Sequence, residues 1–196
     1  MSFSDCDMPM HIQRDLRISE RQALKSIPDA YLNIITPLIQ TARRILEEGR
    51  PLAGIAFVGN FESNTAVPVV LDTGSEADKD NSAKLIKLAA EHQNADYIFL
   101  MMEAWSLRKD KVHQMEEIYE RYGSIAASPY AVDVVSMSLE TRHGVWMAQV
   151  PIKPKGVSKK KRTIGAPEFK LFTEAHGRFV DLLPMKDGAE TAGTLH

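Results

Sequence analysis

Residues 131–152 have the sequence AVDVVSMSLETRHGVWMAQVPI, and this stretch decides the fold class. Its two halves are rich in β-branched and large apolar residues, whereas the ETRHG between them is polar. Gly144 can adopt the positive φ that a short hairpin turn requires. We therefore expect a hairpin of two adjacent strands, with Pro151 and Pro154 ending the pairing.

A second hairpin is predicted earlier in the chain. AGIAFV at 53–58 and AVPVVL at 66–71 flank the polar sequence GNFESNT. Pro68 cannot donate a backbone hydrogen bond, so the second of these strands belongs at a sheet edge. Residues 95–102, ADYIFLMM, are nearly all apolar but too few to cross a membrane, which indicates a central strand buried on both faces.

Three segments show apolar residues at helical spacing. The first helix is predicted from Asp29 to about Gly49, with a kink at Pro37. The others are predicted at 82–92 and 111–122. Adjacent strands joined by hairpins, without strict βαβα alternation, predict an α+β fold. We expect a mixed or largely antiparallel sheet of about five to seven strands with two or three helices packed on it.

The chain divides into one predicted domain and two polar ends. Residues 26–184 form the single α+β domain, preceded by a flexible arm at 1–25 and followed by a disordered tail at 185–196. Within the domain, residues 169–172 and 178–183 predict a third hairpin.

Composition places the chain among ordinary globular proteins. The 196 residues carry 24 Lys and Arg against 26 Asp and Glu, a balance too near neutral to indicate a nucleic-acid or membrane partner. Cys6 is the single cysteine, which excludes an internal disulfide. The N-terminus has no signal-peptide pattern, so we expect a cytoplasmic protein that does not contact membranes.

Residues 153–166 are predicted to form a basic loop. Its six cations have no acid between them: Lys153, Lys155, Lys159, Lys160, Lys161 and Arg162. The hypothesis favoured for such a run is a solvated loop, and the alternative is contact with phosphates or an acidic protein surface. No aromatic residue interleaves the lysines to stack on bases, so we expect weak nucleic-acid binding or none through Lys159–Arg162.

A second group of candidate residues lies at the strand ends. Glu103 and Glu140 are predicted to end two strands, so their carboxylates could converge if those strands are neighbours. A buried carboxylate can serve as a general acid or base, with Arg142 holding an anion and His143 moving a proton. The favoured alternative is structural: a strand-end Glu paired with a nearby Arg, and an exposed turn at Arg142 and His143.

Motifs for other chemistry are absent from the sequence. The six histidines are scattered singly, without metal-ligand spacing. Neither a dinucleotide-binding glycine motif, nor a P-loop, nor a nucleophile elbow is found. We therefore expect no cofactor and no metal.

The sequence KLAAEH at Lys87–His92 and the apolar run YIFLMMEAW at Tyr97–Trp105 carry a resemblance. Together with the later strand pair VDVVSMSLETRHGVWMAQVPI, they resemble a group of uncharacterised bacterial and phage-associated proteins. The resemblance covers residues 42–152 and is specific at Glu103-Ala104-Trp105. It implies no activity, cofactor or catalytic residue.

Two functional hypotheses follow. The first is a non-enzymatic protein acting by protein–protein interaction, as a homo-oligomer or as an accessory protein of a phage or mobile element. Its candidate binding residues are Trp105, Arg142, Lys159, Lys160, Lys161 and Arg162. The second is a small hydrolytic or acid/base enzyme that uses Glu103, Glu140 and His143, which requires both carboxylates to share one pocket.

The two tryptophans are expected to serve packing. Trp105 and Trp146 each accompany a strand rich in apolar residues, so we expect both rings in the core. If Trp105 is exposed instead, it becomes a candidate contact residue for a partner.

Overall fold

A computed structural model describes most of the predicted domain. The described residues are 27–157, 160–172, 175 and 177–184. The predicted arm at 1–25, the predicted tail at 185–196 and Lys159 lie outside them.

Within the described residues, three α-helices and seven strands form an α+β architecture, which confirms the predicted class. The helices are α1 (Asp29–Glu47), α2 (Glu76–Gln93) and α3 (Met115–Tyr122). The strands are β1 (Ile55–Asn60), β2 (Thr65–Val70), β3 (Tyr97–Leu107), β4 (Ala131–Thr141), β5 (Gly144–Pro154), β6 (Arg162–Ile164) and β7 (Lys170–Phe172).

The sheet is antiparallel throughout, in the order β2-β1-β3-β4-β5-β6. β7 pairs with the first residues of β5, and β6 pairs with its last residues. Both short strands therefore lie along the edge of β5 that does not pair with β4. The β4–β5 turn has Gly144 at φ 121°, as the sequence predicts. Pro68 lies in the edge strand β2, which confirms its predicted place.

Helix α1 covers one face of the sheet. Its apolar stripe packs against alternate residues of β3 and β4, because side chains two apart on a strand share a face. The helix continues through Pro37. The buried residues of this face include Ile35, Ile39, Leu46, Phe99, Met101, Val135, Met137, Leu139 and Trp146.

Helix α2 covers part of the opposite face. Ile86 and Ala90 pack with Ile98 and Leu100 of β3, together with Leu182 near the end of the domain. The helix begins at Glu76, six residues before the predicted start. Ser75 is its N-cap: the Asp78 amide donates to Ser75 Oγ at 3.1 Å, which satisfies a backbone donor of the first turn.

The predicted basic loop is wrong in part, because it contains a strand. β5 continues to Pro154, and Ile152–Pro154 pairs with β6. Pro151, opposite Val134, is the last residue of β5 that pairs with β4, whereas the pairing of β5 with β6 continues to Pro154. Residues 152–154 and 162–164 therefore form an antiparallel pair, and we call residues 152–157 and 160–164 the basic hairpin.

Two further predictions need correction. Residues 178–183 do not form a strand; the amides of Leu182 and Leu183 donate to the Glu140 carboxylate instead of to a ladder. The third helix is divided into a 3-10 helix, Lys109–Gln114, and α3.

Candidate binding surface at Trp105

The two tryptophans lie in opposite environments. Trp146 is 1% exposed in the core beneath α1, as expected, but Trp105 is 60% exposed, so the expectation that its ring packs in the core is wrong. Met101 lies on the face that α1 covers and is buried. Glu103, two residues later on the same face, accepts a hydrogen bond from the amide of Leu52, which follows the end of α1. Trp105 is the next side chain on that face, beyond the helix.

Glu103 is held by an arginine from the basic hairpin. Arg162 Nη1 donates to Glu103 Oε2 at 2.6 Å and Nη2 to Oε1 at 2.9 Å, while the Leu52 amide donates to Oε1 at 2.8 Å. Burial raises the pKa of Glu103, but the bonds from Arg162 and Leu52 and the arginine charge together leave the pKa lowered. Glu103 is therefore an ionised structural partner of Arg162.

Further contacts fix the basic hairpin against α1. The ammonium of Lys155 donates to Glu47 Oε2, and the hydroxyl of Thr163 donates to Glu47 Oε1 at 2.8 Å. Arg43 donates to the carbonyl oxygens of Ile164 and Gly165, at 3.0 Å each. The hairpin is thus joined to the C-terminal half of α1 through charged and polar groups far apart in sequence.

A cleft of about 340 Å³ lies beside this hairpin. Its lining residues are Asp133, Ile152, Lys153, Pro154, Gly156, Val157 and Arg162. Asp133 is the cross-strand partner of Trp105, and such partners lie side by side on one face of a sheet. Trp105 therefore lies next to Asp133 at one end of the lining, and we call Trp105 and the cleft together the Trp105 cleft.

The Trp105 cleft combines an exposed aromatic ring with cations. Lys153 lines it, and the exposed Lys160 and Lys161 follow on the same hairpin. Hydrogen bonds to Glu103 chiefly raise the pKa of Arg162, and the charge of Asp133 adds to that effect. The cleft thus carries both signs of charge, because Asp133 also lines it and Arg162 is bonded to Glu103.

Glu140 lies on the other face of the sheet. Glu140 pairs with Ile98, which packs beneath α2, whereas Glu103 pairs with Val135, which packs beneath α1. Glu140 Oε1 accepts from the amides of Leu182 and Leu183, each at 2.9 Å. Among the described residues its Oε2 has no hydrogen-bond partner.

Burial chiefly raises the pKa of Glu140, and the two amide bonds only partly oppose that effect. His143 and Arg142 are exposed in the β4–β5 turn, where Arg142 Nε lies 3.2 Å from His143 Nε2. Partial loss of solvent around the ring, and then the charge of Arg142, lower the pKa of His143. The structure does not bring Glu103 and Glu140 into one pocket, so the acid/base arrangement considered from the sequence is not assembled.

Arg142 is also separate from the Trp105 cleft. It follows Thr141, which pairs with Tyr97 at the start of β3, whereas Trp105 lies near the end of that strand. Of the candidate binding residues, the structure brings Trp105 and Arg162 to one region through Glu103 and Asp133. Lys160 and Lys161 precede Arg162 in the chain, and Lys160 lies against Gly49, just after α1.

The described ranges contain neither a metal-binding cluster nor a membrane-spanning helix. No cluster of three or more His, Cys, Asp or Glu residues there could hold a metal ion. None of the helices described has the length and apolar character needed to cross a bilayer. In comparisons with known proteins, no family model, no curated protein and no solved structure matches this chain.

Proposed function

We propose that this chain is a cytoplasmic binding protein that acts by protein–protein contact, with the Trp105 cleft as its contact surface. The observation that carries the proposal is the 60% exposure of Trp105 beside a cleft. Tryptophan is enriched among the few residues that supply most of the binding energy at protein interfaces. A solvated position leaves that large apolar ring available to a partner.

The fixed surroundings of Trp105 support the proposal. The two bonds between Arg162 and Glu103 hold the basic hairpin beside β3, and the bonds to Glu47 hold it against α1. A surface that is already ordered loses less conformational entropy on binding. The further proposal of an accessory role for a phage or mobile element rests only on the resemblance at Glu103-Ala104-Trp105.

Site-specific photocrosslinking tests the proposed function. A photoreactive phenylalanine analogue replaces Trp105 in the full chain, expressed in the cells that make the protein. The control carries it at Leu85, an exposed apolar position on α2. We expect a protease-sensitive adduct of defined mass from position 105 and a much weaker one from position 85. Equal labelling at both positions, or no adduct with protein at 105, overturns the proposal.

A further inference from the structure

Residues 177–184, which we call the strap, lie on the face of the sheet that α2 covers. They contain neither a helix nor a paired strand. Leu182 is 7% exposed and packs among Ile86 of α2 and Ile98 and Leu100 of β3. The strap therefore shields apolar side chains of α2 and β3 from water.

The first part of the strap is bonded to the first turns of α2. Arg178 Nη2 donates to Glu76 Oε2 at 2.6 Å, and Arg178 Nε lies 2.7 Å from Asp80 Oδ1. Lys79 also binds Glu76, so two cations share that carboxylate. Both acids are more than half exposed, so these ion pairs hold the strap only weakly.

The second part of the strap is held by Glu140, which is 7% exposed. Its Oε1 accepts the amides of Leu182 and Leu183, each at 2.9 Å. Its Oε2 is buried and has no hydrogen-bond partner among the described residues. The cross-strand partners of Glu140, Ile98 and Val145, are apolar. A carboxyl group in such a place is tolerated as a neutral acid and costs free energy as an anion.

The charges around Glu140 do not compensate a negative charge on it. After burial, the charge of Asp181 in the strap further raises the pKa of Glu140. Arg178, the cation of the strap, is bonded to α2 instead. Arg142 and His143 follow on the same strand in an exposed turn, and neither forms an ion pair with Glu140 in the part of the chain that the structure describes. At this place α2, β3 and β5 contribute apolar side chains.

The residue before the bonded amides has an unfavourable backbone. Asp181 has a φ of 58°, in the left-handed region, which costs free energy for a residue with a Cβ. Such a conformation persists while surrounding contacts hold it. The contacts that follow directly in the chain are the burial of Leu182 and the two bonds to Glu140. Closure of the strap therefore depends on Glu140.

We infer that the strap is a pH-sensitive closure, held by Glu140 while that carboxyl group is protonated and loosened when it loses the proton. Opening exposes Glu140, Ile98 and Leu100 to water. The inference does not depend on the Trp105 cleft, because Trp105 lies on the other face of the sheet.

The direction of the effect follows from the two environments of Glu140. In the closed strap burial raises its pKa, whereas in the open strap the carboxyl group is in water, where its pKa has the ordinary value of 4.5. A group whose pKa is raised in the closed state stabilises closure fully below the ordinary pKa, and that contribution is lost as the pH rises through the raised pKa. The strap is therefore tightest in acid and opens more often at higher pH.

Amide hydrogen exchange of the full chain, resolved by NMR and corrected for the intrinsic exchange rate at each pH, tests this closure. We expect the protection of the Leu182 and Leu183 amides to fall as the pH rises from 4.5. The amide of Phe99, in the central strand β3, reports global unfolding and should keep its protection. A parallel fall at Phe99, or constant or rising protection in the strap, overturns the inference.

Substitutions identify the group that titrates. Glu140→Gln keeps an oxygen acceptor but cannot ionise, so the pH dependence of protection in the strap should disappear. The matched control, Glu91→Gln, removes an exposed acid from α2 and should leave that dependence unchanged. A fall in protection that persists undiminished in Glu140→Gln assigns the titration to another group and overturns the inference.

Arg178→Met separates the Glu140 contact from the ion pairs to α2. Losing these exposed pairs should lower the protection of the strap about threefold at every pH, with the dependence on pH preserved. If Arg178→Met abolishes the pH dependence instead, the ion pairs and not Glu140 control the strap, and the inference is overturned. Unchanged protection of Phe99 shows that each variant is folded.

Discussion

Arg162 forms two hydrogen bonds with Glu103, of 2.6 and 2.9 Å, although 59 residues separate them in the sequence. The pair joins the edge strand β6 to the central strand β3, two residues before Trp105. This contact holds the basic hairpin in a fixed position near the exposed Trp105. The energetics of the pair can be tested without touching Trp105.

Arg162→Met should lower the free energy of unfolding by about 1–3 kcal/mol, because it leaves the partly buried Glu103 carboxylate with only the Leu52 amide as a partner. Urea unfolding measures the change. Arg50→Met, which removes the exposed pair with Glu48, is the control and should have no measurable effect. Equal stability of the two variants would contradict the role given to Arg162.

The lowered pKa of Glu103 makes this contribution pH-dependent. A carboxylate whose pKa is lower in the folded than in the unfolded protein stabilises the fold above the unfolded pKa, and the effect is lost as the pH falls through the folded pKa. We therefore expect the stability difference between wild type and Glu103→Gln to shrink on acidification. Urea titrations from neutral pH to well below 4.5 measure it, and a constant difference is the contrary result.

Glu140 should show the opposite dependence. Because its folded pKa is raised, its full contribution is present below the unfolded pKa and is lost as the pH rises through the folded pKa. Glu140→Gln keeps an oxygen acceptor for Leu182 and Leu183 without a buried charge, so it should gain stability relative to wild type as the pH rises. Urea unfolding across that range decides the sign, and a relative loss toward neutral pH would contradict it.

The hydrogen bonds of Glu140 are tested by a second substitution. Glu140→Ala leaves the amides of Leu182 and Leu183 without their acceptor, and a buried donor without a partner costs about 1–3 kcal/mol. We expect Glu140→Ala to be the less stable of the two variants at every pH. Equal urea midpoints for Glu140→Ala and Glu140→Gln would show that these bonds do not hold residues 182–183.

Substitution of the two tryptophans should have different effects on the stability of the protein. Trp146→Ala opens a large cavity in the core beneath α1 and should lower the free energy of unfolding by about 3–5 kcal/mol. Trp105→Ala removes an exposed ring and should change the unfolding midpoint little. Urea denaturation of dilute samples measures both. A large loss for Trp105→Ala would place the ring in the core.

We expect no tight nucleic-acid complex at physiological salt. Arg162 is bonded to Glu103 and Lys155 to Glu47, so at least these two cations of the run already have carboxylate partners. Fluorescence anisotropy with labelled single-stranded and duplex DNA measures binding against salt. Replacing Lys159, Lys160 and Lys161 with Ser, with Arg162 intact, should change almost nothing. Tight binding whose salt dependence falls in this variant would contradict the expectation.

The sequence predicts the parts of the fold that have local signals. Tyr31, Ile35 and Ile39 mark the buried side of α1, and Gly144 marks the β4–β5 turn. The predicted start of α2 is six residues too late, because the apolar spacing that predicts the helix begins later than the helix itself. Ser75 and Asp78 follow the pattern of a capping box and mark the true start.

The remaining errors concern contacts between distant residues. β6 forms on the edge of β5, and Arg162 fixes it by a bond to Glu103 that no local pattern records. The exposure of Trp105 depends on where α1 ends above the sheet, which the composition of β3 does not reveal. The prediction that Glu103 ends its strand is wrong, because β3 continues to Leu107. Glu103 does pair with an arginine, but that arginine is Arg162, 59 residues away, and not one nearby in the sequence.

The most direct test of the central claim is whether protein contact buries Trp105. In Trp146→Phe, Trp105 is the only tryptophan of the chain, so its fluorescence and its quenching by acrylamide report on this ring alone. We expect quenching to fall and emission to shift to shorter wavelength when the protein that position 105 crosslinks is added in a form whose tryptophans are replaced by phenylalanine. Quenching that stays equally strong in the presence of that protein would contradict the claim that protein contact covers Trp105.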